Sequence, residues 1–130
     1  MLKKRLGLEV IERNWKGKYT YNFFKIPSTL IIPEGCEKIG DNVFWGCRNL
    51  KDVVIPESVK RIGNSAFCNC WWLEKVVIPR SVKWIGYSAF YCCKNAVVTL
   101  EKPESKFEFI AISAFSGCKC LLYAKEKVRN

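Results

Sequence analysis

One phrase recurs along the chain at a constant interval, and this interval limits the possible folds more than any other feature. Its clearest copies are IPESVKRIGNSAFCNC (residues 55–70) and IPRSVKWIGYSAFYCC (residues 78–93), which begin 23 residues apart. The same interval separates the members of several columns: Pro33, Pro56 and Pro79; Ile39, Ile62 and Ile85; Phe44, Phe67 and Phe90; Cys47, Cys70 and Cys93. A fixed period this short predicts a stack of similar units rather than a globule around one core.

A fourth copy of the phrase is distorted. It ends at Cys118, which comes 25 residues after Cys93, so two extra residues must lie between Leu100 and Ile110. The segment Glu-Lys-Pro-Glu-Ser at residues 101–105 is expected to be a loop that holds them. Beyond Cys118, the apolar residues 121–124 are expected to begin a fifth strand.

The first part of each repeat is predicted to be a strand with one buried face. In residues 52–55 of the second copy, Val53 and Ile55 alternate with Asp52 and Val54, which is the period of a half-buried strand. Pro56 follows, and a proline cannot donate a hydrogen bond to a sheet, so the strand ends there.

The second part of each repeat is predicted to be a corner and one short helical turn. Val59 and Ile62 are expected to point inward, and Gly63 to permit a turn of the backbone. Ser65 stands where an N-cap residue would precede a helical turn over residues 66–70. No repeat can bury its apolar side chains alone, so each must stack on its neighbour. The phenylalanine column, with Phe115 as its fourth member, is expected to be the largest buried column.

The repeated phrase resembles the leucine-rich repeats of the BspA-like type, whose pattern is roughly LxxVxIPxSVxxIGxxAFxxC. Residues 50–70, LKDVVIPESVKRIGNSAFCNC, match this pattern at nearly every marked position, and the likeness extends over about residues 27–124. The resemblance implies a leucine-rich-repeat solenoid, α/β or β-rich, with about four repeats and terminal caps. It also implies a binding scaffold, often on bacterial surfaces, without a shared catalytic residue or a particular partner.

The two ends of the chain do not fit the repeat. Residues 1–26 are expected to form an N-terminal cap, as a hairpin over the first repeat, with a short helix over residues 2–11 as the alternative. Residues 27–124 are assigned to the repeats and residues 125–130 to a C-terminal tail. The basic start is not followed by an apolar stretch of signal-peptide length, and no segment is suited to span a membrane. The expected location is therefore the cytoplasm, that of a host cell if a virus or mobile element encodes the chain.

Eight cysteines in a chain of this length could indicate metal or disulfide chemistry, but half of them share one repeat position: Cys47, Cys70, Cys93 and Cys118. Since cysteine is readily buried, these four are predicted to form a core ladder. The chain has no histidine and no pair of CxxC motifs, so neither a metal nor another cofactor is expected. Disulfides are left open, although a cytoplasmic location favours free thiols.

No enzymatic activity is expected from this sequence. Without histidine, the chain cannot form the Ser–His and Cys–His pairs that activate nucleophiles. It also has no phosphate-binding glycine loop. Carboxylate pairs such as Glu9 and Glu12 are read as ordinary surface charges.

The net charge of +10 is concentrated at the ends, since residues 1–25 carry +5 and residues 119–130 carry +3. Ordinary solubility is one explanation. The other is an acidic protein or nucleoprotein partner. The basic residues expected to contact it are Lys3, Lys4, Arg5, Arg13, Lys16 and Lys18.

Two further surfaces are candidates for binding. The concave sheet is expected to present an outward ladder of Ile31, Val54 and Val77 with Lys75 beside it, although such residues also simply favour strands. The opposite edge interleaves aromatic residues with cations, a composition found in interface hot spots and in stacking platforms for single-stranded nucleic acid. Its members are Trp45, Arg48, Trp71, Trp72, Tyr91 and Lys94, with Trp84 on a neighbouring face. Packing between repeats is the alternative role for these aromatic residues.

Three functional hypotheses follow. The first is a non-catalytic, intracellular protein-binding module, which in its sharpest form is an anti-CRISPR-like inhibitor or adaptor of a nucleic-acid-processing complex. The second is direct RNA or DNA binding through the basic ends and the aromatic edge. The third is an exported bacterial surface adhesin, which the resemblance suggests and the lack of a targeting segment ranks last. The sequence leaves the partner, the binding face and the oligomeric state open, and it predicts no contact with a membrane.

Overall fold

The computed structural model describes the backbone of Lys4–Arg5 and all of residues 28–123. Within these residues the chain winds into a solenoid whose coils succeed one another about every 23 residues. Each coil contributes one strand to a first sheet, a two-residue strand to a second sheet, and a series of turns on the third side. The predicted leucine-rich-repeat solenoid is therefore confirmed.

The first sheet, sheet A, contains six parallel strands in the order β1-β2-β4-β6-β8-β10. These strands are β1 (Lys4–Arg5), β2 (Thr29–Ile31), β4 (Asp52–Val54), β6 (Lys75–Ile78), β8 (Val97–Leu100) and β10 (Cys120–Tyr123). The second, sheet B, contains four parallel strands in the order β3-β5-β7-β9. They are β3 (Lys38–Ile39), β5 (Arg61–Ile62), β7 (Trp84–Ile85) and β9 (Phe109–Ile110).

The strands of sheet A follow the predicted alternation. Val53 pairs with Leu30 on one side and with Val76 on the other, and all three side chains are buried. Val54 points outward from the same strand and is exposed. Each coil thus buries alternate β-branched or leucine side chains against its neighbours, which stabilises the stack by the hydrophobic effect.

The second sheet replaces the corner that the sequence predicted. Ile62 lies in β5, is fully buried, and pairs with Ile39 and Ile85 of the neighbouring coils. Gly63 begins the turn that follows, since its carbonyl accepts from the Ala66 N–H group at 3.3 Å, but it does so without a positive φ angle. A Cβ atom at Gly63 would lie 2.7 Å from the backbone nitrogen of Asp41, so the glycine is required by the close approach of two coils.

The expected helical turn is absent from the described coils, because the turn amides alternate between two kinds of acceptor. In the first coil, the N–H groups of Asn42, Phe44 and Gly46 donate to carbonyls of the next coil, at 2.9, 2.8 and 2.7 Å. Those of Trp45 and Cys47 donate to the residue three positions earlier. An α-helix would direct every amide along its own axis, so stacking bonds between coils replace the helix.

Ser65 is consequently not an N-cap residue. Its φ angle is +54°, and its N–H group donates to the carbonyl of Tyr87 in the next coil. Ser88, one coil later, has a φ of +55°. Both residues adopt the left-handed conformation that ordinary side chains rarely occupy, and the coil-to-coil hydrogen bonds hold them there.

Two side-chain columns fill the core beneath the turns. The rings of Phe44, Phe67 and Phe90 are fully buried and stack at centroid distances of 5.2 and 5.1 Å, and Phe115 continues the column at 5.7 Å. The cysteine column lies beside it, and Cys47, Cys70 and Cys93 are fully buried. The predicted core ladder is confirmed for these three, Cys118 is half-buried at its end, and all eight cysteines are free thiols.

The ends of the solenoid are described in part. β1 pairs in parallel with β2, with Lys4 opposite Leu30, and so extends sheet A beyond the first coil. The remaining residues of the predicted hairpin and the tail at residues 125–130 lie outside the described residues. β10 is the predicted fifth strand. The extra residues of the fourth coil lie between β8 and β9, where a 3-10 helix spans Glu104–Lys106.

Candidate interaction surface

The turns place an aromatic and basic surface at one edge of the solenoid, called here the tryptophan edge. Its members are Trp45, Arg48, Trp71, Trp72, Tyr91 and Lys94. The four aromatic side chains are between 38% and 57% exposed, and Trp72 is the most exposed of them. Because the turn backbone is bonded to the next coil, these side chains project from fixed positions.

The structure brings three of these residues into one stack. The indole ring of Trp71 lies between two cations, with Arg48 Cζ 5.0 Å and Lys94 Nζ 4.9 Å from the ring centroid. The three residues hold the same repeat position in consecutive coils. Asn95 Nδ2 also donates to the Trp71 carbonyl oxygen at 2.8 Å. Cation–π contacts at exposed sites contribute about 0.5–1 kcal/mol each, so the stack orders long side chains that would otherwise be mobile.

A cleft opens beside this stack, where the turns lead into sheet A. It has a volume of about 560 Å³, within the range of about 300–1,000 Å³ typical of ligand pockets. The residues that line it are Ser28, Arg48, Asn49, Lys51 and Trp72. The sequence identified Arg48 and Trp72 as candidates but not the other three, although Ser28 and Lys51 lie one 23-residue period apart, as do Asn49 and Trp72.

The outward ladder on sheet A lies where the sequence predicted it. Ile31 pairs with Val54, and both point away from the core, as does Val77 in β6. Val54 is 46% exposed, while Ile31 and Val77 are half-buried. Lys75 pairs with Asp52 across β6 and β4. A shallow groove includes Val54, Lys75 and Val77, so this face is a second, flatter surface.

Trp84 lies on sheet B and is separate from the tryptophan edge. Arg61 Cζ lies 3.9 Å from the centroid of the Trp84 ring, which stacks on Phe109 at 5.2 Å. Tyr87 meets Phe109 edge to face at 5.6 Å. Arg61, Phe109 and Tyr87 were not predicted from the sequence as neighbours of Trp84. The available signal was the position directly before the repeated isoleucine, which is Arg61, Trp84 and Phe109 in successive coils.

The basic residues proposed for an acidic partner are hardly represented in the described residues. Lys3, Arg13, Lys16 and Lys18 lie outside them. Lys4 and Arg5 are described only as the backbone of β1. The role of this basic segment stays a prediction.

Two of the buried thiols, those of Cys70 and Cys68, are poor nucleophiles. Hydrogen bonds with the Cys47 and Cys93 thiols, together with burial, raise the pKa of Cys70 well above its usual value. Burial raises the pKa of Cys68, which lies behind Trp45. Since the thiolate is the reactive form, both groups stay protonated near neutral pH. In the part of the chain that the structure describes, no group of three or more histidine, cysteine or carboxylate side chains is placed to hold a metal ion.

Stacked parallel coils of this length, each repeating one phrase, define a leucine-rich repeat protein. The family model described as "BspA type Leucine rich repeat region (6 copies)" matches residues 17–125. The chain belongs to this family of BspA type leucine-rich repeats, as its repeated phrase indicated.

A solved structure supports the same fold. The crystal structure of a leucine rich cell surface protein from Faecalibacterium prausnitzii A2-165 is similar to this chain with a TM-score of 0.67 and 24% sequence identity. The similarity covers 78% of this chain and 27% of that chain, so this chain spans about a quarter of its relative's length. No curated protein matches the sequence. In the described residues, no helix has the length and apolar character that a membrane span requires.

Proposed function

We propose that this chain is a non-catalytic protein-binding module whose principal contact surface is the tryptophan edge. The observation that carries this proposal is the stack of Arg48, Trp71 and Lys94 with the exposed ring of Trp72 beside it. Tryptophan, tyrosine and arginine dominate the hot spots of protein interfaces because each covers a large area and also forms a directed polar contact.

The scaffold favours binding because it fixes the edge before a partner arrives. Gly46 N–H donates to Cys68 at 2.7 Å, and Asn69 N–H donates to Tyr91 at 2.8 Å, so the turns of successive coils are joined directly. Association costs free energy when loops and side chains must be ordered. A prearranged edge lowers this cost.

The family supports a binding role rather than catalysis. Its members are repeat proteins, and the residues of the edge offer aromatic rings, cations and amides without an activated base or nucleophile. The chain contains no histidine, and the one thiol behind Trp45, that of Cys68, has a raised pKa. These residues are suited to recognition.

A cell-surface location for this module is supported by its structural relative, which is described as a leucine rich cell surface protein. The third hypothesis from the sequence, an exported adhesin, therefore has better support than the cytoplasmic location. Neither the anti-CRISPR-like role nor another role in a nucleic-acid-processing complex gains support from the comparisons. Direct RNA or DNA binding through the basic ends and the tryptophan edge stays a prediction, and most of the basic ends lie outside the described residues.

The proposal is tested by affinity capture with matched variants. The purified chain is used as bait against surface-protein and cytosolic extracts of its source organism, beside Trp72→Ser and Tyr87→Ser. Both substitutions remove an exposed ring, but Tyr87 lies next to sheet B, where it is 58% exposed. We expect a protein that binds the parent and Tyr87→Ser but not Trp72→Ser, with the interaction reproduced by the purified partner. Equal capture by the two variants would contradict the proposal.

A parallel titration distinguishes nucleic-acid binding from protein binding. Fluorescent single-stranded RNA is titrated with the protein across a series of salt concentrations. Binding to phosphates releases counterions, so its log affinity falls steeply with log salt. Tight binding of this kind, unaffected by Trp72→Ser, would favour the basic ends as a nucleic-acid site.

A further inference from the structure

The charged side chains that line the cleft beside Trp72 are all positive. Arg48 and Lys51 supply two cations, while Ser28 and Asn49 supply neutral polar groups and Trp72 forms an apolar wall. Among the described residues that line the cleft there is no carboxylate. Its composition is complementary to a negatively charged group attached to an apolar or amide-containing chain.

The Arg48 guanidinium and the backbone of Lys51 are held in place by independent contacts. The Arg48 guanidinium stacks on the Trp71 ring, whose far side is occupied by Lys94. The backbone N–H groups of Lys51 and Asp52 both donate to the Ser28 carbonyl, at 2.8 and 3.0 Å, which fixes the base of the Lys51 side chain beside Ser28. A guanidinium that is already oriented loses less conformational entropy when it binds an anion.

The size and shape of the cleft limit what can occupy it. Its volume of about 560 Å³ accommodates one or two side chains, and it is open to solvent. The planar fork of an arginine matches a carboxylate in a bidentate arrangement.

From these observations we infer that the cleft binds a glutamate or aspartate side chain from an acidic peptide segment of the protein partner. Arg48 holds the carboxylate, Lys51 adds a second positive charge, and the Trp72 ring covers the aliphatic part of the bound segment. This inference rests on the proposed function and names the chemistry that the edge recognises.

The test is a binding titration with two matched peptides. A fluorescein-labelled peptide of alternating glutamate and leucine with glycine ends is compared by anisotropy with the same peptide carrying glutamine for every glutamate. We expect the glutamate peptide to bind at least about tenfold more tightly to the full chain at low salt, because charge-assisted hydrogen bonds are the stronger kind. The difference should narrow at high salt, where exposed charges are screened.

Variants then assign the contact to the cleft. Arg48→Gln should lose about tenfold in affinity for the glutamate peptide, and Lys51→Gln should lose several-fold. Lys106→Gln removes a cation from the exposed 3-10 helix after β8 and should bind like the parent. Far-ultraviolet circular dichroism of all three variants checks that the fold is unchanged.

Several results would overturn the inference. They are equal binding of the two peptides, no binding of the glutamate peptide, or parent-like affinity of Arg48→Gln. Complete displacement of the labelled peptide by a carboxylated oligosaccharide of hyaluronan, at a lower concentration than the unlabelled glutamate peptide requires, would assign the cleft to an acidic glycan instead. A failure of this inference can be distinguished from a failure of the proposed function. If Trp72→Ser abolishes capture of the protein partner while Arg48→Gln does not, the edge binds protein and only the carboxylate site is wrong.

Discussion

The thiol of Cys70 donates a hydrogen bond of 3.1 Å to the backbone carbonyl of Phe44, which lies in the preceding coil. The next coils repeat this contact, from Cys93 to Phe67 at 3.0 Å and from Cys118 to Phe90 at 3.2 Å. The cysteine column therefore joins coils through side-chain-to-backbone bonds in addition to filling space. This explains why cysteine, rather than alanine or valine, recurs beside each phenylalanine.

The Cys70 thiol should make stability depend on alkaline pH. Its pKa is raised in the folded chain, mainly by hydrogen bonds with Cys47 and Cys93 and further by burial. An unfolded thiol ionises near pH 8.5. The free energy of unfolding should therefore be unaffected by this group below about pH 8 and fall as the pH rises above about 8.5, because only the unfolded chain then releases the proton. Urea titrations between pH 7 and 10 measure this change.

Two variants test whether the decline in stability at alkaline pH comes from the Cys70 thiol. Cys70→Ala should lower stability by about 1–2 kcal/mol at pH 7, because it removes a buried hydrogen bond and a small volume. It should also reduce the decline at alkaline pH. Cys120→Ala, at a half-buried position in β10, should keep most of that decline. If the two variants show the same pH profile as each other, the role assigned to Cys70 is incorrect.

Phe67→Ala should be strongly destabilising. The Phe67 ring is fully buried and stacks on Phe44 and Phe90 at 5.2 and 5.1 Å. Its loss should cost about 3–5 kcal/mol through lost burial and the cavity left behind. Phe115→Ala is the control, because Phe115 is half-buried and, among the described residues, stacks on Phe90 alone, at 5.7 Å. That variant should lose about 1–2 kcal/mol. Chemical denaturation followed by circular dichroism compares the two, and equal losses would show that the column is not the centre of the core.

Gly63→Ala should be destabilising for a different reason. The added Cβ would lie 2.7 Å from Asp41 N and 2.8 Å from Gly40 C, so two backbone segments would have to separate. We expect a loss of about 3 kcal/mol from this overpacking. Gly35→Ala is the matched control, since Gly35 has a φ of +92° but open space around it. Left-handed strain alone should cost about 1–2 kcal/mol there. Thermal denaturation ranks the two, and a larger loss for Gly35→Ala would contradict the close-packing explanation.

Substitution of Trp72 should affect partner binding, whereas substitution of Trp84 should affect the free energy of unfolding. Trp72 is 57% exposed, whereas Trp84 lies between Arg61 at 3.9 Å and Phe109 at 5.2 Å on sheet B. Trp72→Ala should change the free energy of unfolding by less than about 0.5 kcal/mol and abolish partner binding. Trp84→Ala should lose about 1–2 kcal/mol of stability through its stacking contacts and keep binding. The reverse pattern would place the interface on sheet B.

The sequence predicted sheet A well because its signal is local. The alternation of Val53 and Val54 assigns one side chain to the core and the other to the surface, and a register shift of one residue would exchange them. The constant period then fixes which residues pair between coils. The fold class, the two core columns and the outward ladder of Ile31, Val54 and Val77 all follow from these two regularities.

Sheet B and the turns could not be predicted in the same way. A strand of two residues such as Arg61–Ile62 has no periodicity of its own, and it exists because the neighbouring coils pair with it. Ser65 is a good N-cap residue by local preference. In the stack its amide bonds to Tyr87, and this contact between coils decides its backbone conformation.

The candidate site also has one part that the sequence predicted and one part that it did not. The periodic sequence places Arg48, Trp71 and Lys94 in one column, and the structure shows that their side chains stack. The cleft residues Ser28 and Lys51 directly precede two adjacent strands and lie one 23-residue period apart, as do Asn49 and Trp72, but the period does not show that their side chains enclose a cleft. Side-chain geometry was required to define the cleft.

The backbone bonds between successive coils repeat with the same donors and acceptors. Lys60 donates to Glu37 at 2.7 Å, Lys83 donates to Lys60 at 2.8 Å, and Glu108 donates to Lys83 at 2.8 Å. The junction between two coils is thus largely independent of which two coils meet. Unequal crossing-over between the repeats of such a gene would add or delete a whole coil and leave compatible junctions on either side. In this architecture the length of the protein can change by recombination, and the tryptophan edge is kept when the added or deleted coil lies outside the three coils that carry it.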